Sequence, residues 1–407
     1  MNYIGGLFVI LAVGCLLVFY KFIEIPVHLA YDEVSFTRLA LSLDHQPYTP
    51  YSTLATGHST LYFYIILASL KLFGVSTFAL RLPAALFGIG SAAVVYVLFQ
   101  KLLGKTRYAL IAGLTLLSMR WFLNFSRFSF EATFLIFLEL LSMTFLVHAL
   151  QKKKWYYVLA CSIFAGLSYL SYYPGRIFFL LPLISIGLTL HKKMLLFFIA
   201  VFVVIITPLT LYNASHPDIR IGQLSILQDK HLKPADKVKA VSQNIEKTIY
   251  MFLWKGDMNG RHNFPGKAAL NPIMALLFIM GMIIVMRNRG TQADTLFLIW
   301  FFISLLPSLF TSPSDNPNML RTVTAVPSIV YAISIIFPFV DRIKKHYLVY
   351  IVVLLLVASA AYDLRTYFFF QSRVMRNSFE VTCGLPELMK QKTDFVPKQC
   401  RVSKNLF

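Results

Sequence analysis

The chain has 407 residues, of which 57% are hydrophobic and only 14% are charged, and its formal net charge is +20. A soluble domain of this size carries more charge, so the composition excludes one and indicates a polytopic helical membrane protein. We attribute the basic excess to loops that face the cytoplasm or anionic lipid, and we expect no nucleic-acid partner.

Long apolar runs of roughly 15–23 residues predict eleven transmembrane helices. They are continuous, so their backbone polar groups must be satisfied within helices. The first run lacks a basic leader and a cleavage signal, and we expect it to be an uncleaved span. The predicted spans are 4–22, 77–99, 109–122, 130–150, 155–172, 177–190, 194–212, 272–286, 296–310, 323–339 and 347–362.

Every second connection between these spans is short and basic, which by the positive-inside rule places it in the cytoplasm. Three longer polar segments then lie outside: 24–76, 213–271 and the tail after 362. The basic positions are Lys101, Lys105 and Arg107; Lys152, Lys153 and Lys154; Lys192 and Lys193; Arg287 and Arg289; and Arg342, Lys344 and Lys345.

The first outer segment begins with a carboxylate pair, Asp32 and Glu33, in a chain with 18 acidic residues against 38 basic ones. Residues 30–43 predict a helix that lies along the membrane, and 61–73 predict a second interfacial helix that is too short to span. Adjacent helical residues do not share a face, so one carboxylate can face a cavity while the other caps, pairs or binds a metal. The alternative is that Asp32 only caps the helix and Glu33 only favours its positive end.

Four cysteines fall into two groups. Cys15 and Cys161 lie in predicted spans, where they serve as small apolar residues. Cys383 and Cys400 lie in the outer tail, where an oxidising compartment permits a disulfide. We predict that these two pair.

Several short segments occur in a set order, although none is specific alone. After Tyr31-Asp32-Glu33 come 57–64 (GHSTLYFY), 72–75 (LFGV), 78–88 (FALRLPAALFG), 127–131, 166–168 (GLS), 171–176 (SYYPGR) and 318–321 (NMLR). Together, over roughly residues 1–340, they resemble the dolichyl-phosphate-mannose–protein mannosyltransferase-like family. That family includes the bacterial lipid A aminoarabinose transferases and belongs to the GT-C superfamily.

The resemblance implies an all-α integral membrane protein, a GT-C-type helical bundle of about eleven transmembrane helices with extracytoplasmic juxtamembrane helices. Residues 1–365 would form the catalytic domain, with outer loops 24–76 and 213–271, and 366–407 a short extracytoplasmic tail. The enzyme would reside in the plasma or inner membrane. It would transfer a sugar from a polyprenyl-phosphate-linked donor to a hydroxyl of a lipid, glycan or protein on the extracytoplasmic face.

By the same resemblance, Asp32 is the general base of an inverting displacement, with Glu33 beside it in the catalytic pair. A base must lie within hydrogen-bond reach of the acceptor hydroxyl. Fixed cations should stabilise the leaving phosphate, and Arg suits bidentate phosphate contacts. We favour Arg176 and Arg321 for this role; snorkelling to lipid headgroups is the alternative for both. The other candidate cations on the outer side are Arg81, Arg127 and Arg261, and we include Arg81 among the predicted substrate-binding residues.

Three further residues are candidates for substrate binding: His58, Glu131 and Tyr173. Glu131 lies four positions after Arg127 and could instead form a structural ion pair with it. His58 could bind a divalent metal with Glu33 or His262, but without a compact ligand motif an ordinary loop histidine is the better interpretation. Metal use therefore stays open.

Two other function classes remain. A related enzyme could use a diphosphate carrier, as a glycan ligase or polymerase does. A transporter of lipids or small solutes would place charged or broken helices near the midplane and often shows inverted repeats. Here the polar residues concentrate at the outer ends of the spans, which favours surface chemistry.

Overall fold

The computed structural model describes residues 2–216, 218–287, 291–391 and 396–402, so the predicted basic position Arg289 lies outside the described residues. The described chain is almost entirely helical. Its helices are α1 Tyr3–Phe19, α2 Tyr31–Ser42, α3 Leu61–Phe73, α4 Thr77–Leu103, α5 Thr106–Ser118, α6 Arg120–Phe125, α7 Ala132–Lys152, α8 Trp155–Tyr169, α9 Leu180–Thr189, α10 Lys192–Ser215, α11 Ile219–Leu224, α12 Pro234–Leu253, α13 Pro272–Arg287, α14 Gln292–Leu309, α15 Val326–Ser334, α16 Ile336–Arg342, α17 Tyr347–Arg365, α18 Ser372–Ser378 and α19 Leu385–Lys390.

Six helical segments in the described chain are long and apolar enough to cross a bilayer: Thr77–Leu103, Ala132–Lys152, Lys192–Ser215, Gln292–Leu309, Val323–Arg342 and Tyr347–Ser378. Five shorter apolar helices accompany them, and one of these is the predicted interfacial helix Leu61–Phe73. The chain is thus a multi-pass membrane protein, but the count of eleven spans is not confirmed. One reason is that the predicted span 109–122 is interrupted, because α5 ends at Ser118 and α6 begins at Arg120.

The bundle is built around α4, α5, α7 and α15. The helix α4 packs against α5 and α7, and α7 forms an antiparallel pair with α8. The segment that contains α15 and α16 is mostly buried, whereas most of α10 is exposed to the surroundings. In α13, a side chain at Gly281 would collide with the carbonyl oxygen of Ala332, so glycine permits a close backbone contact between α13 and α15.

Basic loop residues from distant parts of the sequence share one end of the bundle. Asp341 accepts a hydrogen bond from Lys105 Nζ at 2.5 Å and another from the Tyr108 hydroxyl at 2.6 Å. His346 lies 3.3 Å from the same carboxylate. The predicted basic loops at 101–107 and 342–345 therefore meet at one face.

The first outer segment folds as predicted into α2 and α3, joined by a small antiparallel hairpin. Its strands are β1 Tyr51–Ser52 and β2 His58–Ser59, with Tyr51 opposite Ser59. The second outer segment contains a helix that we did not predict. In α12, Asn244 donates to the carbonyl of Leu309, and eight residues later Phe252 packs on Phe301. The helix α12 therefore packs antiparallel against the C-terminal half of α14.

The last long helix continues well past its predicted end at 362. A π-helical stretch, Thr366–Gln371, joins α17 to α18. Cys383 and Cys400 form a disulfide, which confirms the predicted pairing. Leu29 and Val381 then form a β-bridge, which brings the tail beside the start of α2.

Candidate functional site

Asp32 occupies the second position of α2 and faces a cavity. An extended segment leads into the helix, and the N–H of Ala30 donates to Glu33 Oε2 at 3.1 Å, which closes the first turn. Asp32 lies outside this cap, and half of its side chain is exposed. Arg261 Nη1 donates to Asp32 Oδ2 at 2.7 Å. In the described part of the chain, the second carboxylate oxygen has no hydrogen-bond partner.

Glu33 points the other way and is fully buried. Arg81 donates to both of its oxygens, at 2.8 and 2.9 Å, and the N–H of Ser129 donates to Oε1 at 3.0 Å. Arg81 also donates to the carbonyls of Pro26 and His28. A buried ion pair must be saturated with hydrogen bonds in this way. We predicted Glu33 as catalytic and Arg81 as substrate-binding; the structure instead places both outside the cavity, where they hold the start of α2.

The cavity beside Asp32 has a volume of about 410 Å³. Its walls come from α2, from the start of α11, from the irregular segment that follows α12, and from the loop that follows α14. The charged and polar residues that line it are Asp32, Tyr172, Arg220, Asp257, Asn259, Arg261, His262, Ser314, Asp315, Asn316, Asn318 and Arg321. Among the predicted site residues, Asp32 and Arg321 therefore share one cavity.

The three arginines of this cavity differ in how they are held. Arg261 bonds to Asp32, and Arg321 donates to Thr311 Oγ1 at 3.0 Å and to Asp315 at 3.4 Å. Arg220 lies 5.8 Å from the ring of Tyr172 and also contacts His58. No carboxylate in the described segments lies within ion-pairing distance of Arg220. Its charge is therefore the one best placed to meet an anionic ligand.

A second, much smaller space of about 10 Å³ adjoins this cavity through Arg220 and Tyr172. His58 is buried there, and its Nδ1 lies 2.7 Å from Glu131 Oε1. The other oxygen of Glu131 and the Tyr173 hydroxyl are buried without a partner in the described chain. The alternative ion pair of Glu131 with Arg127 does not form, because the Arg127 guanidinium is taken up by backbone carbonyls between 17 and 25.

Arg176 borders the same space and is neutralised by a carboxylate. It donates to Asp218 at 2.7 Å, and Asp218 also accepts from the Tyr51 hydroxyl and caps α11. Burial opposes ionisation of Asp218, but the charge and hydrogen bonds of Arg176 hold the pKa of Asp218 below its usual value. Burial and the nearby Asp218 charge raise the pKa of Tyr51 to about 12.

An apolar groove of about 230 Å³ includes Arg176 and Tyr173 in its lining. The other lining residues lie after Arg176, in and just after α11, and at the C-terminal end of α14 and just beyond it. They are Ile177, Ile221, Leu224, Ser225, Leu306, Pro307, Phe310 and Thr311. Thr311 is also the residue that bonds to Arg321. Shared residues thus connect the apolar groove, the small polar space and the cavity with Asp32.

The chain is similar to known proteins in sequence over part of its length and in fold over most of it. Residues 57–212 match the family described as dolichyl-phosphate-mannose-protein mannosyltransferase. The fold is similar to that of ArnT from Cupriavidus metallidurans in the apo state, with a TM-score of 0.59 and 14% identity over 92% of this chain and 77% of that one. The chain has the GT-C fold.

Two further solved structures share this GT-C fold. One is the same ArnT bound to undecaprenyl phosphate, with a TM-score of 0.56 and 12% identity over 92% of this chain and 77% of that one. The other is the oligosaccharyltransferase of Archaeoglobus fulgidus in the apo form, with a TM-score of 0.51 and 13% identity over 93% of this chain and 56% of that one. Curated protein sequences give no match.

The metal ligands considered from the sequence do not come together in the described part of the chain. Glu33 is saturated by Arg81, and His58 is bonded to Glu131 and approached by the Arg220 guanidinium. His262 bonds to Asp257 at 2.9 Å. Within the described residues, the only close group of three potential ligands contains the disulfide-bonded Cys383 and Cys400. These residues do not fit a divalent metal, and we derive no step through one.

Several residues of this site carry little or no local signal in the sequence, and we did not predict them. Arg220 lies in the short helix α11, Asp218 caps that helix, and Asp315 follows α14. Each is a single charge that no local motif marks. Asp257 follows the aromatic run 250–254, which gives it a weak signal. It accepts from the N–H of Met319 at 2.9 Å and thereby joins the two loops that line the cavity.

Proposed function

We propose that this protein is a glycosyltransferase that moves a sugar from a polyprenyl-phosphate donor to an acceptor hydroxyl, with inversion, and that Asp32 is the general base. The observation that carries the proposal is that Asp32 shares a cavity with Arg220 and Arg321. That cavity is connected through shared residues to an apolar groove. A base, a set of fixed cations and an apolar channel are what such a reaction requires.

In the proposed reaction, the free oxygen of Asp32 accepts the proton of the acceptor hydroxyl as its oxygen bonds to the anomeric carbon. The bond from that carbon to the phosphate oxygen breaks on the opposite face, and its electron pair leaves with the polyprenyl phosphate. Arg261 keeps the other oxygen of Asp32 in place. The expected gain from a positioned base is about 10²–10⁴ in rate.

Arg220 and Arg321 are the proposed phosphate ligands. Arg220 has no carboxylate partner in the described chain. Arg321 donates to the Thr311 hydroxyl, and its carboxylate partner, the half-exposed Asp315, lies 3.4 Å away. Arg176, which we predicted from the sequence, is already neutralised by Asp218, so its part is to complete the wall between the groove and the phosphate. Preorganised cations of this kind stabilise the charge that develops on a leaving group.

The apolar groove is the proposed seat of the prenyl chain next to the phosphate. Six of its ten lining residues are apolar, and the other four are Tyr173, Arg176, Ser225 and Thr311. The ArnT structure with undecaprenyl phosphate supports a prenyl phosphate as the donor carrier. Tyr173 and the His58–Glu131 pair lie between the groove and the cavity, where they can contact the sugar or its phosphate.

We place this chemistry on the extracytoplasmic side of the inner or plasma membrane. The basic loop ends share the opposite face of the bundle, and a disulfide closes the tail near Asp32. Residues 1–365 would then form the catalytic domain and 366–407 an outer tail. The acceptor is a lipid, glycan or protein hydroxyl.

The test uses the purified enzyme in nanodiscs with synthetic undecaprenyl-phosphate hexoses and pentoses, together with an undecaprenyl-diphosphate sugar and an envelope extract as acceptor. We expect sugar transfer with release of undecaprenyl phosphate from a monophosphate donor. Asp32→Asn should abolish transfer. Asp44→Asn, which changes a partly exposed carboxylate paired with Lys71, should not. Transfer by Asp32→Asn within threefold of wild type, or use of the diphosphate donor alone, would overturn the proposal.

A further inference from the structure

The C-terminal tail reaches back to the segment that directly precedes Asp32. Leu29 and Val381 exchange two backbone hydrogen bonds, each N–H donating to the opposite carbonyl at 2.9 Å. Only two residues separate Leu29 from Asp32, so this pairing fixes the entry to α2. Leu29 and Val381 are both buried, which protects these bonds from water.

The segment around Val381 also pairs with the end of the described tail. Val381 also forms a β-bridge with Arg401, and the N–H of Thr382 donates to the carbonyl of Cys400 at 2.8 Å. We call residues 379–383 and 400–402, joined by the Cys383–Cys400 disulfide, the tail clasp. Short extended segments of this kind are marginal on their own. The covalent link therefore keeps the two halves of the clasp together.

Side chains of the tail clasp contact both faces of the helix start. Phe379 is buried, 5.5 Å from the ring of Phe128 and 5.9 Å from the Arg81 guanidinium that holds Glu33. On the other side, the Arg401 guanidinium lies 5.8 Å from the ring of Tyr31, the residue before Asp32. The first turn of α2 is thus held by the Arg81–Glu33 pair and by the clasp together.

We infer that the disulfide-closed tail clasp is a positioning element for Asp32, so that turnover depends on the oxidised state of Cys383 and Cys400. The inference rests on the proposed role of Asp32 as base. A carboxylate with one free oxygen must be placed accurately, and a small displacement of a catalytic group is costly. Without the disulfide, residues 400–402 leave Val381, and the Leu29 pairing loses its outer support.

The reductive step is an ordinary thiol–disulfide exchange. A thiolate of an added dithiol attacks one sulfur and forms a mixed disulfide, and the sulfur of the other cysteine leaves as a thiolate. The second thiolate of the reductant then displaces the protein sulfur. Cys383 and Cys400 gain two electrons and two protons, and the dithiol becomes a cyclic disulfide.

The experiment compares wild type, Cys383→Ser/Cys400→Ser, and a Cys15→Ser/Cys161→Ser control that keeps only the tail disulfide. Amide hydrogen exchange of residues 28–43, of the tail clasp and of α7 and α8 is measured with and without dithiothreitol, together with undecaprenyl-phosphate release. We expect faster exchange in the tail clasp and in 28–43 but not in α7 and α8, and a fall in kcat of about tenfold or more, with the KM for the donor within about twofold. Dithiothreitol should reproduce this in the control variant.

Two results would overturn the inference. One is unchanged exchange and turnover in Cys383→Ser/Cys400→Ser. The other is faster exchange throughout α7 and α8 as well, which would assign the disulfide to overall stability. Failure of the proposed function gives a different result. If Asp32 is not the base, Asp32→Asn retains transfer, and the exchange measurement still reports whether the clasp holds α2.

Discussion

Arg261 donates to Asp32 across the mouth of the cavity, and the two residues are 229 positions apart in the sequence. The segment that carries Arg261 is held by α6, because Asn124 of that helix donates to the carbonyl of Arg261 at 2.9 Å. Asn263 of the same segment donates to the carbonyls of Asp257 and Lys267. The candidate base is therefore oriented by a loop that the bundle itself keeps in place.

Removing the guanidinium should leave Asp32 present but poorly oriented. We expect Arg261→Ala to lower kcat by about tenfold or more, since a positioned base supplies about 10²–10⁴ in rate. Arg261→Lys, which keeps the charge, should recover part of the loss. The measurement is undecaprenyl-phosphate release at saturating donor. A wild-type kcat in Arg261→Ala would show that Asp32 needs no partner.

The buried pair of Glu33 and Arg81 predicts a large effect on stability. Removing one charge of a fully buried pair leaves the other uncompensated and costs about 3–5 kcal/mol. We therefore expect Glu33→Gln to lower the thermal unfolding temperature strongly. The matched control is Glu24→Gln, which breaks an exposed pair with Lys21 at 3.8 Å and should cost less than about 1 kcal/mol. Equal shifts in the two variants would contradict the structural role of Glu33.

Sequence patterns predicted part of this arrangement and missed the rest for identifiable reasons. The helices α2 and α3 and the disulfide were predicted, because apolar periodicity and cysteine placement are local signals. The helix α12 was missed because many of its residues are polar or charged. Its packing against the bundle is evident only from its contacts with α14. The separate environments of Asp32 and Glu33 depend on Arg261 and Arg81, and no local pattern pairs residues across such distances.

Arg220 should contribute much of the affinity for the donor. It has no ion pair with a carboxylate in the described chain, so no ion pair has to be broken when the phosphate binds. A hydrogen bond to a charged group contributes about 1.5–3 kcal/mol, so Arg220→Ala should weaken binding of undecaprenyl phosphate by about tenfold or more. Arg365→Ala, an exposed arginine at the end of α17, is the control. Binding is measured by titration in nanodiscs. Equal affinities of the two variants would remove Arg220 from the site.

The pair of Asp218 with Arg176 predicts a defined pH dependence. The pKa of Asp218 is lowered in the folded protein, so its contribution to stability is present above the ordinary aspartate value of about 3.9 and is lost as pH falls through the lower folded-state value. The difference in unfolding temperature between wild type and Asp218→Asn should therefore stay constant from about pH 8 to 5 and shrink only below about 3.9. Shrinkage between pH 7 and 5 would contradict the ion pair.

Filling the apolar groove should discriminate against long prenyl chains. Leu224 lines the groove from α11, and Leu224→Trp should displace part of a chain bound there. A tenfold loss of affinity is about 1.4 kcal/mol, which corresponds to about 55 Å² of lost apolar contact at about 25 cal/mol per Å². We expect the KM to rise about tenfold for an undecaprenyl donor but much less for a farnesyl donor, whose shorter chain makes fewer contacts.

The control for the groove is Leu227→Trp, three residues later, where the side chain is 54% exposed and does not line the groove. It adds the same bulk to the same outer segment and should leave both KM values unchanged. A general disturbance of the loop would raise the KM for both donors in both variants. Equal effects of Leu224→Trp on the two donors would mean that the prenyl chain lies elsewhere, because only contact along the groove can make the penalty depend on chain length.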